Sequence, residues 1–433
     1  MSSGLLIGLC LGAVAVSIIL SYIYKLNTGI IAMGFAYLIG CFVMKMSVGE
    51  FISLFPVKIF FLLFSVCLFY GYPIQNGTMR ILANNIIFRF RRQTRLLPFV
   101  LYFLAFFLGA LGTSAPAISS LMAPVCIIIA HQTGIHYFVM LVLIAYGASA
   151  GTLVPWGQAG LIIRGIAEET EFASMANGLP FLVCVNMLVT GLVAVTAVYI
   201  VFKGYKAQHC EIEKPESLNP VQRKTLALLL VILSLVVIPS IINTLFPTPL
   251  GTKLVKLLDI QTLSILGAAI CAMMKLGHER EVIVSVVPWN TIVLVMGVCM
   301  LMGVTGKTGL FDSIGNMANS TLSQTMIGCI LVLICGFMSF FSGAQSVVMP
   351  LMVPIALQIC SAGGFSPAAL VSASCIGAVL TCISPFSTAG SLILSCVPNE
   401  KEARDLFDRQ FLLTCLLFVI PEVLMAIGVY NIL

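Results

Sequence analysis

Gly151-Thr152-Leu153-Val154-Pro155-Trp156-Gly157-Gln158 interrupts an apolar run over residues 137–166, and Ser384-Pro385-Phe386-Ser387-Thr388 interrupts a second over residues 367–394. Each break places a proline and polar side chains in the middle of a stretch otherwise long enough to cross a bilayer. The two breaks are related. At an offset of 230 positions, Gly147, Ala148, Pro155, Ala159, Gly160 and Ile163 meet Gly377, Ala378, Pro385, Ala389, Gly390 and Ile393 without a gap. At an offset of 232, Pro56, Val66, Cys67 and Gly71 meet Pro288, Val298, Cys299 and Gly303. Repeated halves with paired broken helices are the sequence pattern of a secondary transporter whose site lies near the bilayer midplane.

Working outward, each break is preceded by a pair of short apolar runs. Residues 97–111 and 117–130 flank Gly112-Thr113-Ser114-Ala115-Pro116, and residues 326–341 and 347–360 flank Ser342-Gly343-Ala344-Gln345-Ser346. Runs of about 15 residues are short for a span and suit the limbs of a re-entrant hairpin. Full-length apolar runs lie near residues 4–24, 28–44, 55–72, 179–201, 226–245, 259–276, 289–305 and 411–430. In the first of these, Gly4, Gly8 and Gly12 form a small-residue ladder on which a neighbouring helix can approach closely. Residues 76–95 and 309–319 read as interfacial amphipathic arms, the first basic enough to touch anionic membrane lipid.

The expected fold class is an all-α polytopic membrane protein of about ten spans, two re-entrant hairpins and two broken helices. It is arranged as two repeats of five spans each. An odd number of spans inverts one copy relative to the other. Residues 1–203 form the first repeat, with scaffold spans over 4–75, a hairpin over 97–131 and a broken span over 137–166. Residues 204–224 form a cytoplasmic linker. Residues 225–433 form the second repeat, with scaffold spans over 225–305, a hairpin over 326–360 and a broken span over 367–394.

Composition agrees. Of the 433 residues 60% are apolar and 9% charged, with a mean hydropathy of +1.11. Soluble domains carry about 25% charged residues, so a soluble enzyme, a disordered chain and a nucleic-acid binder are all excluded. Charge placement orients the chain. With the Arg89, Arg91, Arg92 and Arg95 cluster in the cytoplasm, 16 of the 22 Lys and Arg residues fall inside. Only Lys45, Lys58, Arg164, Lys253, Lys256 and Lys307 fall outside. The positive-inside rule favours this threading, with both termini outside the cell membrane.

Backbone polar groups at the tips and breaks cost several kcal/mol each unless they are buried in protein or line a cavity. The four segments are therefore expected to converge, with four helix N-termini aimed at one point. Pro155 and Pro385 suit the first helical turn, and Ser384 suits a cap on the helix that follows. Free N–H groups and positive dipole ends favour an anion. Thr113, Ser114, Gln158, Gln345, Ser346, Ser387 and Thr388 add neutral groups for the substrate. For any one hydroxyl, the competing reading is a bond back to its own helix. Arg164 can approach a dianion or extend to the outer interface. A cation such as Na⁺ can be held by backbone or hydroxyl groups at Gly112, Ser114, Gly157, Ser342, Gly343 and Ser384. No carboxylate lies at a tip or break, which argues against a cation/proton antiporter. Glu422 is the one plausible intramembrane carboxylate. Gly147-Ala148-Ser149-Ala150-Gly151 fits a nucleophile pattern by letter, but that pattern needs a strand-to-helix turn and an activating histidine. No resident cofactor or catalytic group is expected.

Several motifs resemble the MatC-type dicarboxylate (malonate) carriers. They are Phe55-Pro56-Val57-Lys58, Asn76-Gly77-Thr78, Met122-Ala123-Pro124, Val154-Pro155-Trp156-Gly157-Gln158 with Ile163-Arg164-Gly165, Pro288-Trp289-Asn290-Thr291 and Ser384-Pro385-Phe386-Ser387-Thr388. Such carriers belong with the divalent anion:sodium symporters of the ion transporter superfamily. The resemblance implies a plasma-membrane homodimer working by an elevator mechanism on malonate or four-carbon dicarboxylates, with sodium as the coupling ion. It also marks a departure. The symporters carry Ser-Asn-Thr at both tips, where this chain has Gly112-Thr113-Ser114 and Gly343-Ala344-Gln345-Ser346.

Overall fold

Two helices that are apolar on every side must be buried on every side, and they form the centre of the molecule. A computed structural model describes residues 3–24, 26–90, 93–207, 216–245, 253–254, 257–308, 323–340, 343–387, 390, 394 and 400–431. Among these there are helices and turns but no strand. The first half contains α1 (Ser3–Tyr24), α2 (Thr28–Tyr37), α3 (Val48–Ser53), α4 (Val57–Gln75) and α5 (Thr78–Phe90). It continues with α6 (Leu97–Ala110), α7 (Ala115–Thr133), α8 (Tyr137–Thr152), α9 (Gln158–Glu168) and α10 (Leu179–Val201). The second half contains α11 (Pro220–Leu245), α12 (Ile260–Met273), α13 (Trp289–Gly306) and α14 (Gln324–Phe340). It ends with α15 (Met349–Gly363), α16 (Pro367–Leu380), α17 (Glu400–Leu417) and α18 (Val419–Ala426).

Each of the eight full-length apolar runs is helical over most of its described residues. Among the described residues, three helical stretches are long and apolar enough to cross a membrane singly, Val57–Gln75, Leu179–Val201 and Asp405–Ala426, and eight shorter apolar helices of 10–17 residues accompany them. The short limbs and half-spans account for most of the shorter ones. The arm expected over residues 76–95 is α5; the arm over 309–319 lies outside the described residues. α7 bends by 44° between Ala123 and Val125.

The centre is α8, buried from Phe138 to Thr152, and α16, buried along its whole length. α6 and α7 pack on α8, α14 and α15 pack on α16, and α10 touches both. A second group pairs α2 with α13 and α4 with α12. Local geometry recurs at the 230-residue offset. A Cβ on Gly147 would lie 2.5 Å from the Tyr102 carbonyl oxygen, and one on Gly377 would lie 2.7 Å from that of Val332. α7 and α15 both end on left-handed glycines, Gly134 (φ +71°) and Gly364 (φ +64°).

The ladder at Gly8 and Gly12 is not used within the chain, since a Cβ at either would meet nothing within 4 Å among the described residues. The close helix crossing occurs elsewhere, where a Cβ on Gly297 would lie 1.9 Å from the Gly29 carbonyl oxygen. Gly297→Ala is therefore expected to lower stability by about 1–3 kcal/mol through forced separation of α2 and α13. Gly34→Ala, which faces open space on the same helix as Gly29, should be neutral or stabilising by up to about 1 kcal/mol. Thermal unfolding of the purified protein in detergent checks both.

Candidate functional site

The first break is a tight turn followed by a helix start. The Gly157 N–H donates to the Val154 carbonyl at 2.8 Å, which places Pro155 second in a four-residue turn. The second break repeats it: the Ser387 N–H donates to the Ser384 carbonyl at 2.9 Å, with Pro385 second. The prolines thus break the helices as expected but lie in the turns, ahead of the first helical turn, because their fixed φ fits that corner. After each turn the chain packs back on itself. A Cβ on Gly160 would lie 2.0 Å from the Val154 oxygen, and one on Gly390 would lie 2.1 Å from the Ser384 oxygen.

Capping at the second break differs from expectation. The Ser384 hydroxyl accepts from the Phe386 N–H at 3.3 Å, within the turn. Ser387 accepts from the Gly390 N–H at 3.2 Å, three residues on, which is the capping distance along the chain. Ser387 also donates to the carbonyls of Ser384 and Cys382. Its hydroxyl therefore serves the backbone in this structure, the competing reading for such residues.

The other three helix starts are different. Ser114 before α7, Gly157 before α9 and Gly343 before the helical turn Ala344–Val348 all have extended ψ and no side-chain cap. Side chains link the segments next to these starts. Trp156 Nε1 donates to the Ala110 carbonyl at 2.7 Å, which ties the first break to the first tip. Gln345 Nε2 donates to Thr152 Oγ1 at 2.7 Å, which ties the second tip to the end of α8 at the first break. Tyr146 donates to the Leu380 carbonyl at 2.7 Å, linking α8 to the last turn of α16. Gln410 on α17, fully buried, donates to the Ile383 carbonyl at 2.7 Å. Thr113 and Gln158 are buried at the first tip and at the start of α9, while Gly112, Ser114 and Gln345 are partly exposed. Ser346 lies in the turn after the second tip. Thr388 and Ser342 lie outside the described residues.

Arg164 does not face the tips. Its Nε lies 2.8 Å from Glu168 Oε1 and its Nη2 lies 2.8 Å from Asp259 Oδ1, with 13% of the side chain exposed. Asp259 sits at the N-cap of α12 yet makes no side-chain cap, because its carboxylate is turned to Arg164. Beside this pair, burial pushes the Glu169 carboxyl up, and the nearby Lys58 charge works against that. Thr152, Trp156, Tyr146 and Gln410 were not singled out as site residues by the sequence. Thr152 and Trp156 lie inside the first break, and Tyr146 and Gln410 are polar groups within or at the edge of apolar runs, the signal that could have marked them. Ser149 is buried inside helix α8, away from any strand-to-helix turn.

Comparison with known proteins follows the same lines. Residues 4–152 match the family described as "Dicarboxylate carrier protein MatC N-terminus", so the resemblance read from the motifs holds over that segment. No curated protein matches the sequence. The fold is similar to that of MtrF from Neisseria gonorrhoeae, described as illuminating a class of antimetabolite efflux pumps. The TM-score is 0.61 at 16% identity, over 89% of this chain and 83% of that one. It is also similar to the YdaH transporter of Alcanivorax borkumensis, with a TM-score of 0.57 at 14% identity over 88% and 87% of the two chains. Family match and fold together point to a multi-pass membrane transporter and not an enzyme.

The Arg164 pair has a measurable consequence. Arg164→Gln leaves Asp259 buried without its counter-charge and is expected to cost about 3 kcal/mol. Exchanging the two residues, Arg164→Asp with Asp259→Arg, should recover part of that loss, read as the coupling in a double-mutant cycle of thermal unfolding.

Proposed function

We propose that this protein is a plasma-membrane secondary carrier that takes up small dicarboxylates, malonate or a four-carbon diacid, coupled to a cation and working by an elevator mechanism as a homodimer. The observation that carries the reading is the set of three helix N-termini without side-chain caps, at Ser114, Gly157 and Gly343, whose neighbouring segments are linked by the Gln345–Thr152 and Trp156–Ala110 hydrogen bonds. Each N-terminus carries about half a positive charge and free N–H groups, which suits carboxylate oxygens. The family match over residues 4–152 supports the dicarboxylate as cargo.

In this reading the halves are inverted repeats. The recurrence of the Pro155 and Pro385 turns, of the Gly160 and Gly390 contacts and of the Gly147 and Gly377 crossings supports it. The α2–α13 and α4–α12 pairs form the scaffold. The hairpins and broken helices around α8 and α16 carry the diacid across. Thr113, Ser114, Gln158, Gln345, Ser346 and Thr388 are assigned to the diacid, while the Ser387 hydroxyl serves the backbone of the second break. Na⁺ is held near Gly112, Ser114 and Gly157 on one side and Ser342, Gly343 and Ser384 on the other. Arg164 acts by holding α9 to α12. Export is a second reading, supported by the similarity in fold to an antimetabolite efflux pump.

Uptake of labelled malonate and succinate into proteoliposomes tests the function. An inward Na⁺ gradient is expected to drive accumulation that K⁺ does not. Accumulation indifferent to Na⁺ contradicts the coupling, and no uptake of either acid contradicts the cargo. In the same assay, Thr113→Val with Ser346→Ala is expected to weaken the apparent diacid affinity about tenfold, a loss of about 1.4 kcal/mol. Unchanged affinity in a well-folded double variant contradicts the site.

A further inference from the structure

The first tip turns beneath an aromatic ring from α4. Gly112 holds φ +87°, and a Cβ there would lie 1.8 Å from Tyr70 Cδ2 and 2.2 Å from Tyr70 Cε2. The ring therefore lies directly on the backbone of the tip, and its hydroxyl is two bonds from the contacting Cε2. The next residue along the tip is Thr113. Tyr70 is 2% exposed and Thr113 3%. Neither the Tyr70 hydroxyl nor Thr113 Oγ1 has a hydrogen-bond partner among the described residues.

Tyr102, Tyr146 and Tyr430 are buried to the same degree, and each hydroxyl has a partner: the Leu188 carbonyl, the Leu380 carbonyl and the Thr190 hydroxyl. A buried hydroxyl without a partner is costly. Phenylalanine would fill the same space at position 70 without that cost. One such hydroxyl on the tip and another on the α4 ring that covers it, beside the uncapped start of α7, are donors that suit an acceptor carrying negative charge.

We infer that Tyr70 is a substrate-binding residue, its phenol donating to a carboxylate of the diacid held at the first tip, beside the Thr113 hydroxyl. The inference rests on the dicarboxylate reading above and extends the site to a helix outside the hairpins and broken spans. It has a mechanistic consequence. If α4 stays fixed while the tip moves, the phenol reaches the diacid in one arrangement of the carrier and not in the other. The two arrangements then differ in affinity, and a ligand shifts a conformational equilibrium only through such a difference.

The test is malonate binding to the purified carrier, read as ligand-induced thermal stabilisation across a concentration series. Tyr70→Phe removes only the hydroxyl. It is expected to leave the ligand-free unfolding temperature unchanged or raised and to weaken malonate binding about tenfold. Tyr70→Ala removes the ring as well and is expected to lower the ligand-free unfolding temperature, which separates packing from binding. Equal malonate affinity in wild type and Tyr70→Phe overturns the inference while leaving the dicarboxylate reading in place. A wild-type protein that neither malonate nor succinate stabilises overturns the dicarboxylate reading and this inference with it. A Tyr70→Phe protein with lowered ligand-free stability and unchanged affinity assigns the hydroxyl to packing and also overturns the inference.

Discussion

An interrupted helix inside an apolar environment must find partners for the backbone groups that its missing turns would have paired. The arrangement of this protein follows from that constraint. At both breaks the chain turns on a proline corner and packs a glycine, Gly160 or Gly390, flush on the carbonyls just vacated. Side chains meet other carbonyls freed there: Gln410 takes that of Ile383 and Tyr146 that of Leu380. Trp156 takes the carbonyl of Ala110 at the end of α6. Carbonyls at the breaks and at the first tip are thus served from within the protein. The amides at the starts of α7, α9 and the helical turn after Gly343 have no side-chain cap. The asymmetry leaves the positive ends of these helices without a side-chain acceptor, and no carboxylate lies among the tip and break residues to offset it.

The charged groups near the site are used elsewhere. Arg164 is paired with Glu168 and Asp259, joining a half-span of the first half to the N-cap of α12 in the second. Close to it, a Cβ on Gly165 would lie 2.8 Å from Ile59 on α4. The far end of α9 is therefore held to α12 by the Arg164–Asp259 ion pair and to α4 by close packing.

Much of the fold was legible because prolines and glycines have few permitted settings. The 230-residue offset picked out pairs that share a local geometry, such as Gly147 with Gly377 and Gly134 with Gly364. The first break was placed within a residue or two, between the end of α8 and the start of α9, whereas α16 already ends at Leu380, ahead of Ser384; the turn between α6 and α7 fell where the apolar run was interrupted. The role of individual polar groups was less legible. Whether Ser384 or Ser387 caps depends on how far the turn continues, which is set by backbone contacts and not by composition. Arg164 could be read toward a dianion or toward the interface, and the deciding partner, Asp259, is 95 residues away in sequence. The Gln345–Thr152 and Tyr70–Gly112 contacts likewise join distant segments that no local pattern connects. Gly8 and Gly12 show the converse, a clear local pattern that no helix of the chain takes up among the described residues.

The central claim is that uncapped helix starts at the first tip, the first break and the second tip form one anion site. The most direct measurement is an experimental density map of the carrier with a saturating dicarboxylate. The account predicts the diacid bounded by Thr113, Gln158 and Gln345, with its carboxylates toward the amides that open α7 and α9. A diacid seated against Arg164, or anywhere away from the two tips, would contradict it.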